Sequence, residues 1–80
     1  MTDAMRRLVE KIAEITRRPS EDVRGDRPLR ELVQDSFSLV EMVIELQETF
    51  SVQINQSDFA RVVTVGDLIT LFESRLSATP

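Results

Sequence analysis

Residues 35–50, DSFSLVEMVIELQETF, carry the pattern that decides the fold of this chain. At about 100° of helical rotation per residue, their bulky apolar side chains recur on one face, as in an amphipathic helix packed on a core. The predicted core face consists of Leu39, Met42, Val43, Leu46 and Phe50. Acidic side chains fall on the opposite face, at Glu41, Glu45 and Glu48. Ser38 and Glu41 have the spacing of a capping box, which predicts that the helix begins between Ser36 and Ser38.

Three further apolar residues, Phe37, Val40 and Ile44, lie off this core face and beside the glutamates. An apolar patch next to acidic side chains is typical of a surface that binds a partner. Alternatively, the helix is buried on two sides and the preceding loop covers the patch. The pattern favours a partner contact for Phe37 and Ile44, and it leaves both interpretations open for Val40.

Ser36 stands at the head of this helix, directly after Asp35. The chain has no histidine and no cysteine, and its only lysine is Lys11, so the usual bases that activate a serine nucleophile are missing. We therefore expect no catalytic residue and no metal site, and a small hydrolase is disfavoured. A serine at a helix start most often serves as a cap. A phosphate ester is also favoured there, because the helix N-terminus presents N–H donors and a partial positive charge.

The rest of the chain predicts three more helices and one long loop. Apolar residues at helical spacing predict a first helix over 3–16, which Pro19 keeps short. Three apolar anchors, Val23, Leu29 and Leu32, should keep the loop over 17–34 ordered. A short helical turn is expected within it, over 28–32. Ser57 is the expected cap of a short helix, and Thr64, with Asp67 after it, is the expected cap of the last one. We predict an all-α four-helix bundle, a single domain over 1–80 whose residues 77–80 fray.

The charge distribution narrows the range of partners. Residues 35–60 contain five acidic residues and no basic one, within a chain of net charge −4. Such a segment should repel nucleic acid and anionic membranes and attract basic protein surfaces. No apolar run approaches the length of a membrane span, and the absence of cysteine fits a reducing compartment, so we expect a cytoplasmic protein.

Taken together, these residues resemble the acyl carrier proteins of fatty acid and polyketide synthesis, which are four-helix domains with an Asp-Ser-Leu helix. The resemblance covers nearly the whole chain, including the length of the long loop. The positions that carry it are Asp35-Ser36, Val40-Glu41, Leu46, Phe50, Val52, Ile54 and Thr64-Val65-Gly66-Asp67-Leu68.

The resemblance implies that Ser36 receives 4′-phosphopantetheine from a phosphopantetheinyl transferase that uses coenzyme A, with Asp35 beside it. The thiol of that arm would carry acyl groups as thioesters to acyltransferases, ketosynthases or related synthase enzymes. Partners of this family bind the second helix through its acids and a few apolar residues. In this sequence, the resemblance places the partner-binding surface at Asp35, Phe37, Val40, Glu41, Ile44 and Glu48.

The sequence also departs from the family pattern. Phe37 replaces the usual leucine after the serine, Val33 stands where a glycine is common, and Glu45 replaces a small residue. These departures favour a dedicated, free-standing carrier of polyketide or related secondary metabolism over a housekeeping fatty acid carrier. We expect the carrier to be a monomer. Two alternatives stay open: a peptidyl carrier, and a non-covalent helical adaptor that binds a basic partner through the acidic helix.

Overall fold

The computed structural model describes residues 3–77 and is built from helices. Its α-helices within that range are α1 (Asp3–Thr16), α2 (Ser36–Phe50), α3 (Gln56–Phe59) and α4 (Val65–Ser77). Two short 3₁₀ turns, Ser20–Asp22 and Leu29–Glu31, lie between α1 and α2. The prediction of an all-α fold with three main helices and one short helix is confirmed. Of residues 77–80, where fraying is predicted, Ser77 is the last residue of α4, and 78–80 lie outside the described residues.

The core lies between the three main helices. All five residues of the predicted core face of α2 are buried: Leu39, Met42, Val43, Leu46 and Phe50. The Phe50 ring meets the ring of Phe72 from α4 edge-on, with centroids 6.2 Å apart. The Arg7 guanidinium of α1 lies 5.3 Å from the centre of the same ring, within the range of a cation–π contact. Phe50 therefore joins α1, α2 and α4 at one point.

The long loop between α1 and α2 is ordered by the apolar anchors that the sequence predicts. Val23, Leu29 and Leu32 are all buried, and Leu29 begins the second 3₁₀ turn, as predicted. The first turn, Ser20–Asp22, was not predicted. The Arg18 side chain also holds the loop, because its guanidinium donates to the carbonyl oxygen of Glu31 at 3.1 Å.

Main-chain hydrogen bonds fasten this loop to the start of α4. Three N–H groups and carbonyl oxygens pair at 2.8–2.9 Å: Leu29 with Val63, Val65 with Arg27, and Gly66 with Gly25. The approach at Gly66 is so close that an added Cβ would lie 2.9 Å from the Gly25 carbonyl oxygen. Gly66, which is unfavourable for helix formation, is therefore required by packing.

The two later helices begin with different caps. Thr64 caps α4, as predicted, because the Asp67 amide donates to Thr64 Oγ1. The Thr64 amide also donates to Asp67 Oδ2, so the two residues form a reciprocal capping box. The prediction that Ser57 caps the short helix is wrong. The cap is Asn55, which directly precedes the first helical residue, Gln56. Its Oδ1 accepts a hydrogen bond from the Asp58 amide at 2.8 Å.

No helix in the described part of the chain combines the length and the apolar character that crossing a membrane requires.

Candidate functional site

Asp35 is the N-cap of α2. Its backbone is extended (φ −156°, ψ 174°), and its Oδ1 accepts a hydrogen bond from the Ser38 amide at 2.7 Å. Hydrogen bonds from the Ser38 amide and hydroxyl hold the pKa of the Asp35 carboxyl below its ordinary value, because they stabilise the charged form. The carboxylate is therefore ionised at neutral pH. The predicted capping box between Ser38 and Glu41 is wrong, since Asp35 takes that role at a helix that begins at Ser36.

Ser36 is the first residue of α2, and its side chain is exposed. Because Asp35 supplies the cap, the Ser36 hydroxyl is not needed to satisfy the helix end. No hydrogen bond holds that hydroxyl within residues 3–77. The structure thus separates the two roles that the sequence left open for this serine: its neighbour caps, and its own oxygen faces solvent.

The apolar patch of α2 consists of Phe37, Val40 and Ile44, and it is open to solvent. Phe37 is 72% exposed, Val40 45% and Ile44 48%. The alternative that the long loop covers this patch is therefore wrong, for Val40 as well as for the other two residues. Exposed apolar side chains grouped on one helix are a common feature of interaction surfaces.

The acidic residues of α2 border this patch. Glu41 and Glu48 are exposed, as the helical period predicts. With Glu45 and Ile44 they line a shallow groove that runs between α2 and Ile15 of α1. Glu45 lies on the acidic face, but the partner-binding residues expected from the sequence do not include it. Its position between Glu41 and Glu48 on the same face is the signal that would have included it.

One exposed apolar residue was not singled out from the sequence. Val63, in the segment between α3 and α4, is 62% exposed, whereas its neighbour Val62 is half-buried. It lines a groove with Leu39 of α2 and Phe59 of α3. This short connection has no apolar periodicity, so no sequence pattern distinguishes the exposed valine from the half-buried one.

The chemistry that this end of α2 offers is that of a modifiable hydroxyl. Ser36 Oγ is an accessible primary alcohol at a helix N-terminus, where the aligned peptide dipoles favour a negatively charged phosphodiester. The chain has no histidine or cysteine that could activate this oxygen. The residues present therefore fit a phosphate-linked group attached by another protein.

Comparison with known protein families agrees with this chemistry. The model of the family described as the phosphopantetheine attachment site matches residues 6–72. The match spans most of α1, the long loop, α2, α3 and most of α4. Members of this family bear covalently attached 4′-phosphopantetheine and act as carriers rather than as enzymes. The chain belongs to the phosphopantetheine attachment-site family and is a phosphopantetheine-bearing carrier protein.

Proposed function

We propose that this chain is an acyl carrier protein and that Ser36 is its attachment site. The observation that carries the proposal is the exposed Ser36 hydroxyl at the first residue of α2. In the loading reaction, Ser36 Oγ would form a bond to the pantetheine-side phosphorus of coenzyme A. Adenosine 3′,5′-bisphosphate would leave, and the hydroxyl proton would pass to a base of the transferase.

The surroundings of Ser36 support this assignment. The carboxylate of Asp35 accepts from the Ser38 amide in the cap position, and Asp35 and Ser36 are both exposed. The N-terminal end of α2 also stabilises the negative charge that the phosphodiester would bring. Once attached, the arm supplies a terminal thiol, on which acyl groups are held as thioesters.

Intact mass spectrometry tests the attachment site. We expect the wild-type protein, incubated with coenzyme A and a promiscuous phosphopantetheinyl transferase, to gain one phosphopantetheine group, and Ser36→Ala to gain none. Ser57→Ala is the matched control, because Ser57 is also an exposed serine in the first turn of a helix. It should be modified like the wild type. An unmodified wild type, or equal modification of Ser36→Ala, would contradict the proposal.

We also propose that partner enzymes dock on α2, through Asp35, the apolar patch of Phe37, Val40 and Ile44, and the flanking Glu41 and Glu48. The exposed apolar residues would enter a shallow pocket of the partner, and the carboxylates would pair with basic side chains around it. The partners proposed are the transferase itself and acyltransferases, ketosynthases or related synthase enzymes.

Charge reversal tests this docking surface. We expect Glu41→Lys and Glu48→Lys each to lower kcat/KM of the transferase roughly tenfold at low salt, with a smaller loss at high salt, because ionic screening weakens the interaction. Glu10→Lys is the matched control, since Glu10 is exposed on α1 and the charge change is the same. Equal losses for all three variants would locate the effect in net charge rather than in α2.

A non-covalent adaptor is the competing function. It would use the same acidic and apolar surface of α2 but would not require a modified serine. Binding of a basic partner that is unaffected by Ser36→Ala, in a protein isolated from its host without an added arm, would favour the adaptor over the carrier.

We propose further that the carrier is a monomer that serves polyketide or related secondary metabolism in the cytoplasm. The assignment to polyketide or related metabolism is supported by the sequence, which has Phe37 after the serine. It also has Val33 and Glu45 at positions where the family commonly has smaller residues. Ketosynthases of the two types can be compared directly on the loaded protein. A higher kcat/KM with the fatty acid enzyme than with the polyketide enzyme would contradict this assignment.

A further inference from the structure

Two apolar grooves begin one helical turn below Ser36. The first, the loop-side groove, includes Leu39, Leu29 and Val62 in its lining. The second, the helix-side groove, includes Val40, Ile44 and Ile54. Leu39 and Val40 follow Ser36 by three and four residues, and residues at these spacings lie on the same side of a helix as the serine. A flexible arm attached to Ser36 can therefore reach the mouth of either groove.

The Phe59 side chain is common to both grooves. It lies in the wall of the loop-side groove and in the wall of the helix-side groove, and it packs against the core as a half-buried residue. Among the described residues, Phe59 is the only one that lines both grooves.

The backbone of α3 fixes the position of Phe59. The Phe59 amide donates to the carbonyl oxygen of Asn55 at 3.1 Å, and the Asn55 side chain caps the same short helix. Next to Phe59, Asp58 forms an ion pair with Arg75 of α4. The pKa of Asp58 lies below its ordinary value because of its hydrogen bond to Arg75, so the pair persists at neutral pH.

We propose that Phe59 is a partition that keeps the two grooves separate and leaves an acyl chain on the arm accessible to solvent. This inference rests on the proposed attachment at Ser36. An acyl chain can lie along either groove but cannot pass between them beneath α2, so water reaches one side of it. Phe59 thereby determines how much of the cargo the protein shields. Cargo of short or polar chains, which gains little from burial, suits such a carrier.

Thioester reactivity across a series of chain lengths tests the partition. Wild-type protein and Phe59→Ala are loaded with hexanoyl, octanoyl and decanoyl groups, and release by hydroxylamine is followed by intact mass. In the wild type we expect the release rate to change by less than about twofold across the series, because an open groove removes little apolar surface from water. In Phe59→Ala the joined grooves should slow release by up to about fourfold for each additional methylene buried.

Ile54→Ala is the matched control. Ile54 is a half-buried apolar residue that lines the helix-side groove but not the loop-side groove, so its truncation enlarges one space without joining the two. It should behave like the wild type. A wild-type release rate that falls steeply with chain length would overturn the partition, and this result can be observed without any variant. A release rate of Phe59→Ala that does not depend on chain length would also overturn it. Failure to load the arm on Ser36 would instead refute the proposed function, and this inference with it.

Discussion

Replacing Gly66 by alanine tests how tightly the long loop is held against α4, because helix propensity and packing predict opposite results. Gly66 is the second residue of α4, and alanine is more favourable than glycine in a helix by about 1 kcal/mol. Propensity alone therefore predicts a more stable protein. In the structure, however, the new Cβ would lie 2.9 Å from the carbonyl oxygen of Gly25.

The contact at Gly66 should decide the outcome. The atom that the new Cβ meets belongs to the main chain, so it cannot move aside as a flexible side chain could. Overpacking of this kind costs about 1–3 kcal/mol. Separating the two segments would also weaken the 2.8 Å hydrogen bond from the Gly66 amide to Gly25, which contributes about 1 kcal/mol. We expect Gly66→Ala to lower the free energy of unfolding by about 1–3 kcal/mol, because the gain in helix propensity offsets only the weakened hydrogen bond.

Urea unfolding followed by far-UV circular dichroism measures this change, with Gly25→Ala as the matched control. An added Cβ at Gly25 meets nothing within 4 Å, and its φ is not positive. Gly25→Ala should therefore stabilise the protein by about 0.4–1 kcal/mol, through the lower entropy of its unfolded chain. A Gly66→Ala protein as stable as the wild type, with an unchanged denaturant dependence, would refute the close packing of loop and helix.

Three further predictions concern stability. Leu46→Ala should lower the free energy of unfolding by about 2–5 kcal/mol, because Leu46 is fully buried; a loss near zero in urea unfolding would contradict its place in the core. Ser51→Gly should raise the midpoint of thermal unfolding, and the free energy by up to about 1 kcal/mol, because Ser51 ends α2 with a left-handed φ of 55°. Asp67 has its pKa lowered below 3.8 by the Thr64 and Val63 amides, so its stabilisation is present above that value and is lost as the pH falls through the lowered pKa. Urea unfolding as a function of pH should therefore show a smaller loss of stability below about pH 4 in Asp67→Asn than in the wild type; identical profiles would contradict the cap.

The helices and the exposed patch of α2 were predictable because periodicity reports directly on burial. The spacing of Leu39, Val43 and Leu46 identified the core face, and the same rotation left Phe37 and Ile44 outside it. The capping box of α4 was predictable for a similar reason, since all its atoms come from neighbours in the chain. Local patterns suffice where the interaction itself is local.

The remaining features depend on contacts between distant parts of the chain or on a choice between equivalent caps. Nothing near Gly66 in the sequence reveals that the carbonyl oxygen of Gly25 approaches it. The exposure of Val63 likewise depends on how the connection before α4 passes over the loop. The competition between Asp35 and Ser38 for the start of α2, and between Asn55 and Ser57 for α3, was between residues of nearly equal capping strength, so geometry rather than identity decided it.

The fastening of the long loop to α4 has a consequence for how such a carrier can diversify. Its three hydrogen bonds join main-chain atoms only, so they specify backbone position and are almost indifferent to side-chain identity. Exposed loop residues such as Arg24, Asp26 and Arg30 can be exchanged without disturbing the scaffold that presents Ser36, provided that Gly66 is kept. The surface around Ser36 can thus change during evolution to suit a new partner enzyme, while the backbone that positions Ser36 stays the same.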